Sequence, residues 1–402
     1  MDFYYYVALA VITSQVLFLL QSYNNYRYTL QKYKKKRLRY RPRTVLIVPC
    51  KGLEANFQKN IRSFFTQDYE NYSLWFVVSD TEDAAYVQLC RLREKLSRTS
   101  KVSDVRILVA GQGCYCSQKL HNLLYCYERI DNDVEILAFA DSDICVHRNW
   151  LSHLVYPLRQ QKNGVASGYR WFVPKKNNPA SLALSALNSK VAQLLGNTRL
   201  NQAWGGSMAI RAETFRQLNV DKLWARSVSD DLSLSSAVKK AGLKVAFVPA
   251  CLVASYESTD WRKLFEFGRR QFLITRVTSP RLWWFGLLSC LYSVSGLYGG
   301  TFLAVYAATK ESVNLPVFAA VPILFFAAQF LRAAMRQRMI RRLLKEDIDK
   351  LKFTAIIDML FFWVWSLLLL VLMVSSMFGR TICWRGIRYK LVSPTETIVI
   401  KN

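Results

Sequence analysis

Four stretches free of charged residues constrain this chain more than any motif in it: Phe3–Ser22, Leu282–Thr309, Ser312–Leu331 and Met359–Gly379. A bilayer core of ~30 Å is crossed by about 20 apolar residues in a helix, so each stretch is long enough to span. The first could also be a secretory signal peptide or a buried helix of a soluble protein. A signal peptide starts basic and ends at a small-residue cleavage site. Here the start is Met1-Asp2-Phe3-Tyr4-Tyr5-Tyr6 and the basic residues follow the apolar run, an order that favours a retained anchor.

Those basic residues are Arg27, Lys32, Lys34, Lys35, Lys36, Arg37, Arg39, Arg41 and Arg43, with no acid among them, in a chain of formal net charge +27. Such a run can bind nucleic acid or be merely solvated. Directly after a membrane helix it marks the cytoplasmic side and attracts anionic headgroups, so no nucleic-acid partner is expected. The nine cysteines form no CxxC pair and the chain has three histidines, which argues against zinc and for a reducing compartment.

Between Arg43 and Glu257 short β-rich runs recur at Thr44–Val48, Leu74–Ser79, Val105–Ala110 and Ile136–Ala140. Between them lie helical spacings, Phe57, Ile61, Phe64 and Phe65, then Ala84, Val87, Leu89 and Leu92. Alternation of this kind predicts an α/β doubly wound sheet, whose ligands sit at the carboxyl ends of the strands where strand order reverses. The expected organisation is a transmembrane helix over 1–25, a basic juxtamembrane linker over 26–42 and the α/β domain over 43–257. An interfacial amphipathic helix over 258–281 and C-terminal membrane helices with a tail over 282–402 complete it.

The strand ends carry the chemistry. The first runs into Pro49-Cys50-Lys51-Gly52, the second ends at Asp80 with Asp83 behind it, the third meets Gly111-Gln112-Gly113, and the fourth ends at Asp141-Ser142-Asp143. One aspartate alone is commonly a helix cap; polar groups at four strand ends point to a ligand. The Asp141 and Asp143 carboxylates fall on one side of an extended chain and are oxygen donors suited to Mg²⁺ or Mn²⁺, which neutralise diphosphates. Downstream, Gly205 and Gly206 in Trp204-Gly205-Gly206-Ser207 permit close backbone approach to a ligand, or a bulge. Ser229-Asp230-Asp231 reads as a loop opening a helix, its acids able to cap it.

Together these stretches resemble the family 2 type of glycosyltransferase with its GT-A fold, most like the ceramide glucosyltransferase branch (family 21) and its bacterial relatives. The matching segments are Val48–Gly52, Gln67-Asp68-Tyr69, Val77–Asp80, Lys119-Leu120-His121-Asn122-Leu123, Asp141-Ser142-Asp143, Ser229-Asp230-Asp231 and the Trp384–Tyr389 tail. The resemblance implies a GT-A mixed sheet with an N-terminal anchor and a C-terminal helical membrane domain. Its implied activity is inverting transfer of one sugar, glucose foremost, from a UDP-sugar to a membrane lipid such as ceramide, giving a β-glycolipid. Pro49, Lys51, Asp80, Asp83, Lys119, Asn122, Asp141, Gly205 and Gly206 are the implied nucleotide-sugar residues, with Asp80 on the uracil. Asp141 and Asp143 are implied to hold the divalent ion, Asp143 the more directly. Asp231 is the implied general base beside Asp230, a role a placed carboxylate can perform.

One motif departs from the family. A Gln/Arg-x-x-Arg-Trp element is matched only by Arg269-Arg270-Gln271-Phe272, with Arg270 as its arginine and Gln271 in the tryptophan's place. Arg270 can still pair with a diphosphate, or with a lipid headgroup. The absent tryptophan argues against a processive polysaccharide synthase. Against the other alternative, an inactive scaffold or transporter, stand the charge-free spans, unlike those of transporters, and the retention of Asp80, Asp141, Asp143 and Asp231. The positive-inside rule places the α/β domain in the cytoplasm of an integral membrane protein. Met359–Gly379 is expected to be re-entrant or in-plane, because the tail after it resembles a piece that packs on the cytoplasmic domain.

Overall fold

The structure, a computed structural model, describes residues 2–34, 39–54 and 56–400. Lys35, Lys36 and Arg37 of the basic run lie outside the described residues. The first helix, α1, is Asp2–Lys34, so helix continues through half of the segment expected to be a linker.

The α/β domain then alternates as its patterning predicts: β1 (Thr44–Pro49), α2 (Phe57–Phe65), β2 (Tyr72–Val78), α3 (Ala84–Leu96), β3 (Asp104–Val109), α4 (Gln118–Tyr127) and β4 (Ile136–Ala140). These four strands pair in parallel, with β1 between β2 and β4. Successive β1 side chains point to opposite faces: Leu46 and Val48 pack with Phe64 of α2, Val45 and Ile47 with Leu120 and Leu123 of α4. Burial on both faces is why β1 reads as an unbroken apolar run. The α3 face differs from the spacing: Ala85, Leu89 and Leu92 are buried, whereas Ala84 and Val87 face outward.

The second half follows as α5 (Trp150–Val155), β5 (Asn163–Pro174), α6 (Pro179–Ala192), β6 (Ser207–Arg211), α7 (Ala212–Gln217), α8 (Val220–Trp224), α9 (Asp230–Lys240) and β7 (Lys244–Glu257). Sheet order is β3-β2-β1-β4-β6-β5-β7, with β6 antiparallel to both neighbours. The result is the expected doubly wound mixed sheet. The chain order reverses between β1 and β4, so the crevice falls beside Pro49 and Asp141.

Beyond the sheet come α10 (Trp261–Thr278), α11 (Pro280–Val294), α12 (Gly300–Thr309), α13 (Leu315–Leu343), α14 (Ile348–Leu360) and α15 (Phe362–Ser375). A single π-turn, Ser295–Gly299, joins α11 to α12. Among the described residues three helices are long and apolar enough to cross a membrane: Tyr5–Lys34, Pro280–Thr309 and Leu315–Leu343. The fourth apolar stretch is broken, with α14 and α15 meeting at 82°.

The tail forms a second sheet, β8 (Thr381–Trp384), β9 (Ile387–Ser393) and β10 (Glu396–Ile400), in the order β10-β9-β8. It rests on the α/β domain: Arg385 is ion-paired with Glu54 at 2.7 Å and the Gln118 amide donates to the Tyr389 hydroxyl at 3.4 Å. The bent pair is a broken span or a re-entrant loop, and the tail that follows it packs on the α/β domain.

Candidate functional site

The carboxyl ends of β1 and β4, the α4 and α9 N-termini and the Trp204–Gly206 loop meet at one end of a cavity of about 1140 Å³. Each helix start is set locally. The Ser117 hydroxyl accepts from the Leu120 amide to open α4, and the Ser229 hydroxyl accepts from the Leu232 amide to open α9. The Leu232 amide is shared between the Ser229 hydroxyl and Asp231, which leaves Asp230 free of the cap.

Lys119, in the first turn of α4, is the hub. Its ammonium lies 2.7 Å from Asp141 Oδ1 and 2.9 Å from Asp230 Oδ2. Burial opposes its charge, yet Asp141 and Asp230 hold its pKa above the usual lysine value. Burial likewise opposes ionisation of Asp141, but Lys119 and Arg170 bring its pKa below the usual carboxylate value. Asp230 remains pushed up to about 6, first by burial, with Asp231 adding to it against Lys119. Asp143 is raised too, by burial and then by Asp141, against the pull of Arg170.

Asp231 sits between loop and helix. Its Oδ1 accepts from the Ser229 hydroxyl at 2.6 Å and the Leu232 amide at 2.7 Å, and its Oδ2 from the Gly205 amide at 3.2 Å. Glycine is required at 205, since a Cβ there would stand 2.1 Å from Asp230 Oδ2. At 206 a Cβ would meet the Trp204 ring at 2.2 Å. Close backbone approach is therefore real, although its immediate neighbours are the chain's own side chains.

Of the residues singled out from sequence, Pro49, Lys51, Lys119, Asn122, Asp141, Asp143, Gly205, Gly206, Asp230, Asp231 and Arg270 line this cavity. Asp80 and Asp83 do not line it. Asp80 is exposed and accepts from the Glu82 amide at 3.0 Å. Asp83 accepts from the Ala85 amide at 2.9 Å and the Gly52 amide at 2.8 Å. That second bond ties down the Lys51-Gly52 turn, where Gly52 has φ +67°. Arg270 donates to the Cys383 carbonyl at 3.3 Å, its guanidinium 5.9 Å from the Trp384 ring centre. A tryptophan thus stands near Arg270 in space, supplied by the tail.

Sequence reasoning missed Arg170, Arg385 and Glu54. Arg170 on β5 reaches Asp141 at 3.6 Å and Asp143 at 3.8 Å, with its guanidinium 4.6 Å over the Trp204 ring. The available signal was a lone cation inside an apolar strand, Tyr169-Arg170-Trp171-Phe172.

Asp143 Oδ1 is buried and makes no hydrogen bond. An orphaned carboxylate oxygen beside a second carboxylate fits a hard divalent cation. Among the described residues no group of three or more His, Cys, Asp or Glu is arranged to hold a metal. Two carboxylates can share a divalent ion with substrate phosphates.

Two solved structures were compared. One is the mannosyltransferase PcManGT from Pyrobaculum calidifontis, in complex with GDP-Man and Mn²⁺: 14% identity, 92% of this chain, 99% of that chain, TM-score 0.46. The other is GalNAc-T7 with UDP, GalNAc and Mn²⁺: 12% identity, 58% of this chain, 51% of that chain, TM-score 0.40. The family model Glycosyl transferase family 21 matches residues 6–397. With a match over nearly its whole length, the chain belongs to glycosyl transferase family 21.

Proposed function

We propose that this family member is an inverting enzyme that moves one sugar, glucose, from a UDP-sugar to a membrane lipid such as ceramide, giving a β-glycolipid, with its catalytic domain on the cytoplasmic face. One observation carries the reading. The cavity that holds Asp141, Asp143, Asp230 and Asp231 is also lined by Phe272, Trp283, Phe285, Leu369 and Met373 of the membrane-side helices. A lipid acceptor can therefore bring its hydroxyl to the carboxylates while its chains stay among apolar side chains.

In this reading Asp231 takes the proton from the acceptor hydroxyl as it attacks the anomeric carbon. The Ser229, Leu232 and Gly205 donors fix the direction of its lone pairs. Attack opposite the departing nucleotide inverts the anomeric centre. Pro49, Lys51 and Asn122 border the nucleotide, with Asp80 and Asp83 behind that edge, Asp83 acting through the Gly52 turn. Lys119, Arg170 and Arg270 supply positive charge toward the diphosphate. Asp143, with Asp141, would hold Mg²⁺ or Mn²⁺, whose chemistry when bound is to neutralise the leaving diphosphate.

The test is to incubate purified protein with radiolabelled UDP-sugars and a panel of ceramide, diacylglycerol and polyprenyl phosphate, separating products by thin-layer chromatography. A single labelled glucosylceramide spot is expected. Label in a polymer, or in no lipid at all, overturns the reading.

A further inference from the structure

Further along the same cavity, away from the aspartate cluster, the wall carries cations. Lys190 of α6 and Arg332 and Arg336 of α13 all line it. The carboxylate among them, Asp358 of α14, is fully buried and already engaged. It accepts from Arg336 Nε at 2.7 Å, Arg336 Nη2 at 2.6 Å and Gln337 Nε2 at 2.6 Å. Among the described residues Lys190 has only neutral acceptors, the Phe362 carbonyl at 3.1 Å and the Ser366 hydroxyl at 2.6 Å. Arg332 has no carboxylate within ion-pair distance among the described residues. Gln329, 5% exposed and also lining the cavity, leaves its Nε2 buried without a hydrogen-bond partner.

Cations thus outnumber carboxylates here, and an unmet donor accompanies them. Uncompensated charge is costly at membrane depth and marks a functional site. Burial, and then Arg336, push the Lys190 ammonium down to about 7, so an anion beside it would restore its proton. The depth is also informative. Arg332 directly follows the charge-free run Ser312–Leu331 and precedes Arg336, Arg338, Arg341 and Arg342, which places it at the level of the lipid headgroups.

We propose that this wall binds the phosphate of a phosphate-bearing membrane lipid, with Lys190 and Arg332 as its direct partners and Gln329 donating a further hydrogen bond. A guanidinium fork and an ammonium match phosphate oxygens in charge and geometry. Leu187, Trp283 and Phe285 line the same cavity and suit the acyl chains. The phosphate has two sources: a phospholipid that stays bound beside the acceptor, or the acceptor itself. This inference rests on membrane placement and not on the transfer chemistry.

The experiment uses full-length protein in a non-ionic detergent, incubated with phosphatidylglycerol or with diacylglycerol of the same chains. Lipid that remains after gel filtration is extracted and quantified. Stoichiometric retention of phosphatidylglycerol is expected, with no competition from diacylglycerol. Lys190→Gln and Arg332→Gln should each weaken retention about tenfold, as loss of a charge-assisted hydrogen bond does. Arg332→Lys should recover most of it, which a misfolded protein would not. Equal competition by diacylglycerol, or undiminished retention in both glutamine variants, overturns the proposal. Addition of UDP-sugar identifies the source, since a glycosylated phospholipid marks the acceptor and an unchanged one marks a resident lipid. Retention without any transfer would leave this site standing and remove the proposed activity.

Discussion

At one end of the cavity acids and bases answer each other: Lys119 bridges Asp141 and Asp230, and Arg170 faces Asp141 and Asp143. At the other end one pair, Arg336–Asp358, is closed, and among the described residues Lys190 and Arg332 stand without a carboxylate. The first arrangement holds Asp141 ionised between Lys119 and Arg170 in a poorly solvated place. The second lacks a matching counter-charge, which is the basis of the phosphate site proposed above. The two ends therefore use buried charge differently, as an internal network and as a socket.

The sharpest way to break this comparison is to open the closed pair. Asp358→Ala leaves Arg336 buried and unpaired, which should cost about 3–5 kcal/mol and lower the thermal midpoint of the detergent-solubilised protein steeply. Replacing both partners by apolar residues should recover most of that loss. A stable single variant would mean that the charges are not buried as a unit. At the other end, Gly205→Ala forces a methyl against the Asp230 carboxylate, 2.1 Å away in the present geometry. Displacement of this kind should lower turnover about a hundredfold with donor affinity less affected, read as a split between kcat and KM.

Smaller effects sharpen the comparison further. Chelation, or Asp143→Asn, should weaken UDP-sugar binding about tenfold in calorimetry; identical heats with and without chelator would discard the ion. Arg385→Ala removes a half-exposed pair with Glu54 and should change stability by less than about 1 kcal/mol. A large loss there would show that the tail carries more of the fold than its contacts suggest.

How much could be read beforehand differed from one part to the next, for physical reasons. Strands β1 and β4 are buried on both faces, so their apolar runs marked them to within a residue. Strands β5 and β7 are longer, at 12 and 14 residues, but glycine, tyrosine and arginine interrupt the run of β5 and Pro249 that of β7, which hid them. Strand β6 lay behind the Gly205-Gly206 signal. Asp141, Asp143, Asp230 and Asp231 gather at one cavity end because they follow strands or open helices at the switch point. Asp80 and Asp83 follow a strand as well, yet one is spent on a turn and the other caps α3. Short acidic motifs do not distinguish these uses. Nor did the sequence mark the 82° break at Phe361, which has neither proline nor glycine and is held by Lys190 on the Phe362 carbonyl. Lys190 and Arg332 escaped notice because the first lies in a stretch without a motif and the second just beyond the charge-free run Ser312–Leu331.

The most direct test of the account is a paired measurement on Asp231→Asn: transfer of labelled glucose from UDP-glucose to ceramide, and UDP-glucose binding by calorimetry on the same preparation. Transfer should fall by about 10²–10⁴ with donor affinity nearly unchanged, because the carboxylate acts on the acceptor proton. Full transfer by that variant, or loss of donor binding in step with activity, would contradict the account.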